Sequence, residues 1–313
     1  MFNIAIYIPS LQEKWRAKPY NTFHQKEICK VLYEEDDILF IETVNDILTE
    51  CIHPKHNINR LTIVDKLLLL LKIRCIAAGT TMEFESETED KKKYTINYNF
   101  YDIYVKLHNI SVDIKPLKIN SNNFEIQCYL PLIGQEIAIN NSIKNNISYE
   151  QLLYYFIDYI KINNHTFNIR ELDEHNQSQL INILPITIVK DIQIYIDNII
   201  TKFNEIIIYN LFDKKISFSL ISNLYTDYCK FIIKDNLHSI YQEIYILNKH
   251  INISSEYIEN LTPIEREIYI SSLRKENKSS SSDLPANAAV DNNMIPQDNI
   301  IDTIDEFKYS MGG

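Results

Sequence analysis

LTIVDKLLLLLKIRCIAAGTTM, residues 61–82, is the stretch on which the fold turns. Thr62 can cap a helix, and Asp65 stands at the third helical position, where its carboxylate can reach back to the cap. Apolar residues cover most of 67–78, more than one stripe needs, so this helix is expected to be buried on several faces. Gly79 follows, as a left-handed C-terminal cap requires. TPIEREIYISSLRKE, from Thr262, opens in the same way. Thr262 is the cap, Pro263 takes the first helical position and Glu265 completes the capping box. Neither stretch carries reactive chemistry.

The rest of the chain narrows the function classes. With 313 residues and 45% hydrophobic composition, it can bury a sizeable core. It has only four glycines, and none of the spacings that cradle a phosphate occurs. A net charge of −11 repels a phosphate backbone, so no nucleic acid is expected as partner. Lys91, Lys92 and Lys93 form the only basic run, and they follow a cluster of acids that suits a hairpin tip. Five cysteines, Cys29, Cys51, Cys75, Cys128 and Cys229, are widely spaced and odd in number, which fits reduced core thiols in a cytosol. No signal peptide is visible, and Lys72 breaks the Leu67–Leu71 run, so no membrane partner is expected.

The expected class is α+β. An N-terminal helical domain (1–80) precedes a small antiparallel β-rich region (81–140), a C-terminal helical bundle (141–277) and a disordered tail (278–313). Met1–Pro9 reads as extended. Helical steps recur through 23–52, with the acids Glu34–Asp37 at a turn. The pattern alternates over Thr81–Glu85 and Tyr94–Leu107, predicting a hairpin. Val112–Ile119 and Phe124–Leu130 predict two further strands. Ser148 is expected to open a helix with Leu152, Leu153, Phe156, Ile157 and Ile160 on one face. A strong helix follows from Val189 to Ile207, then a strand at Ile216–Leu220 and helices at Leu224–Ile233 and Leu237–Leu247. Past Lys278 periodicity is lost. Asn299–Tyr309 regains an amphipathic pattern, and its Ile300, Ile301, Ile304 and Phe307 suit a tethered docking peptide.

Candidate chemistry is sparse. Cys51, His53 and His56 are the only cluster of metal-ligand types, and no second pair accompanies them, so no metal is expected. The other histidines are scattered, and no nucleophile signature occurs. No catalytic residue, cofactor or small-molecule substrate is therefore assigned. Asp65 and Arg74, the most noticeable charges on the apolar helix, are nine residues apart and cannot bond within one turn. Each is expected to cap a helix or pair with a neighbouring element, with a partner contact as the sharper alternative. Two rival functions stand beside an interaction protein of the kind described next: a general intracellular adaptor, and a hydrolase whose site assembles only in three dimensions.

FHQKEICKVLYEEDDILFIETVNDILTECI followed by LTIVDKLLLLLKIRCIAAG resembles the N-terminal half of the baseplate hub subunit or baseplate hub assembly chaperone family of T-even-like contractile-tailed bacteriophages. Lys26, Glu27, Asp65, Leu68, Leu69, Arg74 and Gly79 occupy that family's motif positions. The stretch DNLHSIYQEIYILNKHINISSEYIENLTPIEREIYISSLRKE is similar to its closing helices, with Thr262–Arg266 at the helix start, which includes Glu265 and Arg266. The resemblance covers about half the chain and leaves out the β-rich middle and the tail. It implies a non-enzymatic virion or assembly role at the centre of the baseplate. The implied partners are other hub or tail proteins. The implied places are the host cytoplasm during assembly and the virion baseplate.

Overall fold

The computed structural model describes residues 4–53, 55–87, 93–121, 124–145, 153–163, 165–211, 214–217, 223–233 and 235–282. The fold is α+β, with helices dominant and the sheets small and antiparallel. Strand β1 (Ile4–Ile8) pairs with β2 (Glu13–Ala17), which pairs in turn with the two-residue β3 (Ile52–His53). Between β2 and β3 lie helices α1 (Thr22–Tyr33) and α2 (Asp37–Cys51). Asn21 caps α1, its side chain accepting from the His24 amide at 3.1 Å. Asp36 caps α2 by accepting from the Ile38 and Leu39 amides at 2.8 and 3.2 Å, the use a helix N-terminus makes of an acid.

Helix α3 (Ile63–Ala78) is the central element. Leu67, Leu68, Leu69 and Leu71 are completely buried and Leu70 nearly so, which places core on all its sides. Each such leucine contributes about 2 kcal/mol by leaving water. The helix ends at Gly79, whose φ of +90° and ψ of 164° lie in a region open almost only to glycine. This is not the left-handed cap expected from the pattern. The chain instead turns directly into an extended strand.

That strand, β4 (Thr81–Glu87), pairs with β5 (Lys93–Asn99) from Thr81↔Asn99 to Glu87↔Lys93. The expected second strand, Tyr94–Leu107, is thus cut at Asn99. The Asn99 side chain accepts from the Tyr101 and Asp102 amides and starts helix α4 (Phe100–Asp113). Phe100, Ile103, Leu107 and Ser111 of α4 are buried at helical spacing, so packing on α3 overrides the alternating pattern. The next strand begins only at Leu117, not Val112. It is β6 (Leu117–Asn120), in a four-stranded sheet with β7 (Phe124–Cys128), β8 (Ile157–Ile162) and β9 (His165–Asn168). Between β7 and β8 runs α5 (Glu136–Lys144).

The helix expected from Ser148 is corrected where the structure describes it. Leu153–Phe156 is a 3₁₀ turn and Ile157–Ile162 a strand. Ile160 lies opposite Ile126 of β7 and Phe167 of β9. These partners lie far from Ile160 or beyond a tight turn, and the β-branched residues suit the ladder they offer. The start at Ser148 lies outside the described residues.

Helix α6 (Glu174–Asn182), helix α7 (Ile186–Asn204) and the ribbon β10 (Ile207–Leu211) with β11 (Lys214–Ser217) follow. Of the strand expected at Ile216–Leu220, Ile216 and Ser217 lie in β11 and residues 218–220 lie outside the described residues. Four helices close the described chain: α8 (Asn223–Ile233), α9 (Leu237–Ile251), α10 (Ser255–Asn260) and α11 (Pro263–Ser282). Helix α11 continues past Lys278, so the tail proper, 283–313, lies outside the described residues. One apolar core joins residues from Ile6 to Ile233. A smaller one, formed by Ile240, Ile244, Leu247, Ile258 and Ile270 with Cys29 of α1, lies under the closing helices. Among the described residues no helix is long and apolar enough to cross a membrane.

Candidate interaction site

The four folded residues singled out by the sequence fall into two pairs. Asp65 and Glu265 perform the same local task. Thr62 donates to Asp65 Oδ2 from its amide at 3.0 Å and its hydroxyl at 2.6 Å. Thr262 donates to Glu265 Oε2 at 2.8 and 2.9 Å. Each threonine hydroxyl also accepts from the amide of its acid, at 3.1 and 3.3 Å. Two helix starts are therefore closed reciprocally. Burial raises the Asp65 carboxyl above its ordinary value, against the hydrogen bonds from Ser10 and Thr62.

Arg74 and Arg266 converge instead. Arg74 donates to the Gly79 carbonyl at 3.1 Å and lies 4.9 Å from the centre of the Phe100 ring. Arg266, 2% exposed, donates from Nε to Glu243 Oε2 at 3.0 Å and from Nη1 to the Thr22 hydroxyl. Thr22 passes the link on, its hydroxyl donating to the Leu261 carbonyl at 2.7 Å. Asp235, which accepts from Gln25 Nε2, feels the charge of both arginines. Burial raises the Asp235 carboxyl, while the Asn236 amide and both guanidinium groups oppose that rise. Glu243 is likewise raised by burial against Arg266. Lys26 adds an ion pair to Glu259. The start of α1 is thus tied to α9, α10 and α11 through a polar junction beneath which the smaller core sits.

A second polar centre escaped the sequence reading. Lys66 Nζ lies 2.8 and 2.6 Å from the two carboxylate oxygens of Glu136. Their side chains are 0% and 4% exposed. Beside them Tyr225 donates to the Ile63 carbonyl at 3.1 Å, and its hydroxyl is pushed far up by burial and then by the Glu136 charge. Nearby, Asp37 receives Lys144 at 2.7 Å and also Lys230. Burial works to raise Asp37, but those two lysines prevail and hold it below its ordinary value. Together these contacts join α2, α3, α5 and α8. The visible signal was a lysine at the head of a leucine run on a helix expected to be buried on several faces, where a charge held away from water needs an acid beside it.

These groups hold helices together and are poorly placed for attack on a substrate. Burial pushes the thiols of Cys29, Cys51, Cys128 and Cys229 up to about 12, which keeps them protonated and unreactive. In the Cys51, His53 and His56 cluster, Cys51 is buried and the His56 ring stacks on Trp15 at 4.2 Å. Among the described residues no group of three or more His, Cys, Asp or Glu could hold a metal ion. Exposed apolar side chains lie on several helices, among them Tyr33 on α1, Tyr101, Val105 and Val112 on α4, Ile186 and Ile194 on α7, Tyr241 and Tyr245 on α9, and Ile264 and Ile268 on α11. Ile300, Ile301, Ile304 and Phe307 lie outside the described residues.

A family model described as T4 bacteriophage base plate protein matches residues 1–206. The match takes in the middle region, on which the sequence resemblance had no motif, and stops before α8. No curated protein matches the chain, and no solved structure does.

Proposed function

The chain belongs to the T4 bacteriophage base plate protein family, and from that premise we propose that it is a baseplate hub component or hub assembly chaperone acting by protein–protein interaction. Family membership over residues 1–206 carries the reading. The chemistry is in keeping with it. The charged residues inside the molecule are spent on helix caps and helix–helix ties, and the four most buried thiols are suppressed. The activity is non-enzymatic and needs no cofactor or small-molecule substrate. The partners are other hub or tail proteins, met in the host cytoplasm during assembly and, for a component, in the virion baseplate.

The contact surface on this reading is the solvent side of the closing helices. Tyr241 and Tyr245 stand 47% and 61% exposed on one face of α9, and Ile264 and Ile268 stand 44% and 60% exposed on α11. Glu265 and Arg266 hold that surface in shape, and the Asn299–Tyr309 peptide adds a tethered contact. Co-expression with each hub and tail protein of the same phage tests the reading. Co-purification with at least one, weakened by Ile264→Asp with Ile268→Asp, is expected. Failure to co-purify with any would refute it. Mass spectrometry of purified particles then separates a component, present in the virion, from a chaperone, absent from it.

A further inference from the structure

The smaller apolar core is nearly self-contained. Ile240, Ile244, Leu247, Ile258 and Ile270 come from α9, α10 and α11, and the half-buried apolar side chains packed on them run from Leu237 to Leu273. Among the described residues the rest of the molecule lends this core one member, Cys29 of α1, which is 2% exposed. The main core ends at Ile233. The two cores are thus divided within a short stretch that includes Asp235 and Asn236. There Asn236 starts α9 by accepting from the His238 and Ser239 amides at 2.9 and 3.2 Å. A set of polar contacts ties the closing helices to α1. Thr22 donates to the Leu261 carbonyl from its amide at 2.8 Å and its hydroxyl at 2.7 Å. Gln25 donates to Asp235, Lys26 pairs with Glu259, and Arg266 donates to Thr22. Water can take over bonds of this kind at modest net cost once they are exposed, whereas apolar contacts within a core have no such substitute.

We infer that α9, α10 and α11 form a clasp that comes off α1 as one unit, turning about Asp235 and Asn236, while the main core stays folded. A segment opens in this way when it carries its own apolar contacts and is held to the remainder by fewer of them. The few residues between two packed elements then absorb the change of backbone angle. Helices α9 and α11 pack on each other, and the body meets the unit chiefly through α1 and α3. Opening bares the face of α1 that carries Gln25 and Cys29 together with the inner faces of α9 and α11. The protein thereby gains a second surface, more apolar than the one it shows when closed. The inference concerns the fold itself and does not depend on the hub reading.

The buried thiols report the opening directly. Cys29 belongs to the smaller core, while Cys51, Cys128 and Cys229 belong to the main one. The full chain is treated with iodoacetamide at low urea concentrations, and the labelling of each cysteine is followed by peptide mass spectrometry. With reagent dilute enough for the rate to follow the open population, Cys29 is expected to label at least tenfold faster than the other three. The slope of its rate with urea should be under half of theirs, because the clasp exposes only part of the surface that global unfolding does. Leu247→Ala removes bulk from the smaller core, far along the chain from α1, and should speed Cys29 at least tenfold more while leaving the other three unmoved. Arg266→Ala, which cuts the tie to Thr22, should do the same and keeps the test open if the Leu247 variant misfolds. Cys29 labelling with the rate and slope of the main-core thiols would make the molecule one cooperative unit and overturn the inference. So would a fast Cys29 that neither variant speeds, since α1 would then be fraying by itself.

Discussion

Replacing Glu136 by glutamine should be among the most damaging single changes available, although it removes no bulk. The carboxylate lies 2.6 and 2.8 Å from Lys66 Nζ, and both side chains are sealed from solvent. At such a distance, with an effective dielectric of about 20, the attraction is about 6 kcal/mol. Desolvating each ion costs several kcal/mol, so the intact pair is close to neutral for stability. Glutamine removes the attraction and leaves an ammonium group buried among leucines. The expected loss is about 3–5 kcal/mol, a third or more of the total for a typical domain. Urea unfolding should show this as a midpoint lower by about 1–1.7 M if the slope is about 3 kcal/mol/M. Lys66→Met should cost a similar amount. The double variant Lys66→Met with Glu136→Leu should regain most of the loss, since neither charge remains. A Glu136→Gln cost below about 1 kcal/mol, or a double variant as unstable as the sum of its parts, would refute the reasoning.

Arg266→Ala should cost about 2 kcal/mol by leaving half-buried Glu243 without its partner and removing the Thr22 link; hydrogen exchange should quicken at the start of α1 and in α9–α11, and uniform quickening would count against a local junction. Gly79→Ala should cost about 1–3 kcal/mol, read by thermal melting; a Cβ there meets nothing within 4 Å, so a larger loss would point to a clash the backbone angle does not explain. Above pH 9 stability should fall steeply. The four buried thiols stay protonated in the folded state up to about 12 but ionise near 9.0 when unfolded. The unfolded chain therefore binds fewer protons, and each thiol removes about 1.4 kcal/mol per pH unit across that window, full stability being retained below it. A urea midpoint unchanged between pH 8 and pH 10.5 would contradict this.

The parts of the fold legible in the sequence are those whose cause is local. Helix α3 and the start of α11 each have a threonine cap with an acid three residues on, so a few neighbouring letters determine them. The parts misread have distant causes. Residues 157–162 satisfy a helical stripe as well as a strand. Their choice is made by β7, which offers a ladder about thirty residues away. Tyr94–Leu107 alternates convincingly, yet Asn99 followed by Asp102 is a cap signal inside the run, and it was there to be found. The junction around Arg266 was beyond any local rule, since Thr22 and Arg266 are 244 residues apart. Lys66 is intermediate. Its oddity among leucines was visible, but nothing in the letters pointed to Glu136 as its mate.

The placement of these charges also bears on why so greasy a chain adopts one arrangement. Isoleucine and leucine faces are nearly interchangeable in their packing, and dispersion contacts have little direction. Helices joined only by such faces can rotate or slide past each other at small cost. Here α3 meets α5 at Lys66–Glu136, α2 meets α5 and α8 at Asp37, and α1 meets α9 and α11 at Arg266. The sealed Lys66–Glu136 contact and buried Arg266 are satisfied in only one register, because a helix displaced by a turn would leave a charge buried without a partner. Their net contribution to stability is therefore small, while their penalty against alternative packings is large. A baseplate protein must present the same surface in every copy, and a core whose few charges each tolerate one position meets that demand better than uniform hydrophobic packing.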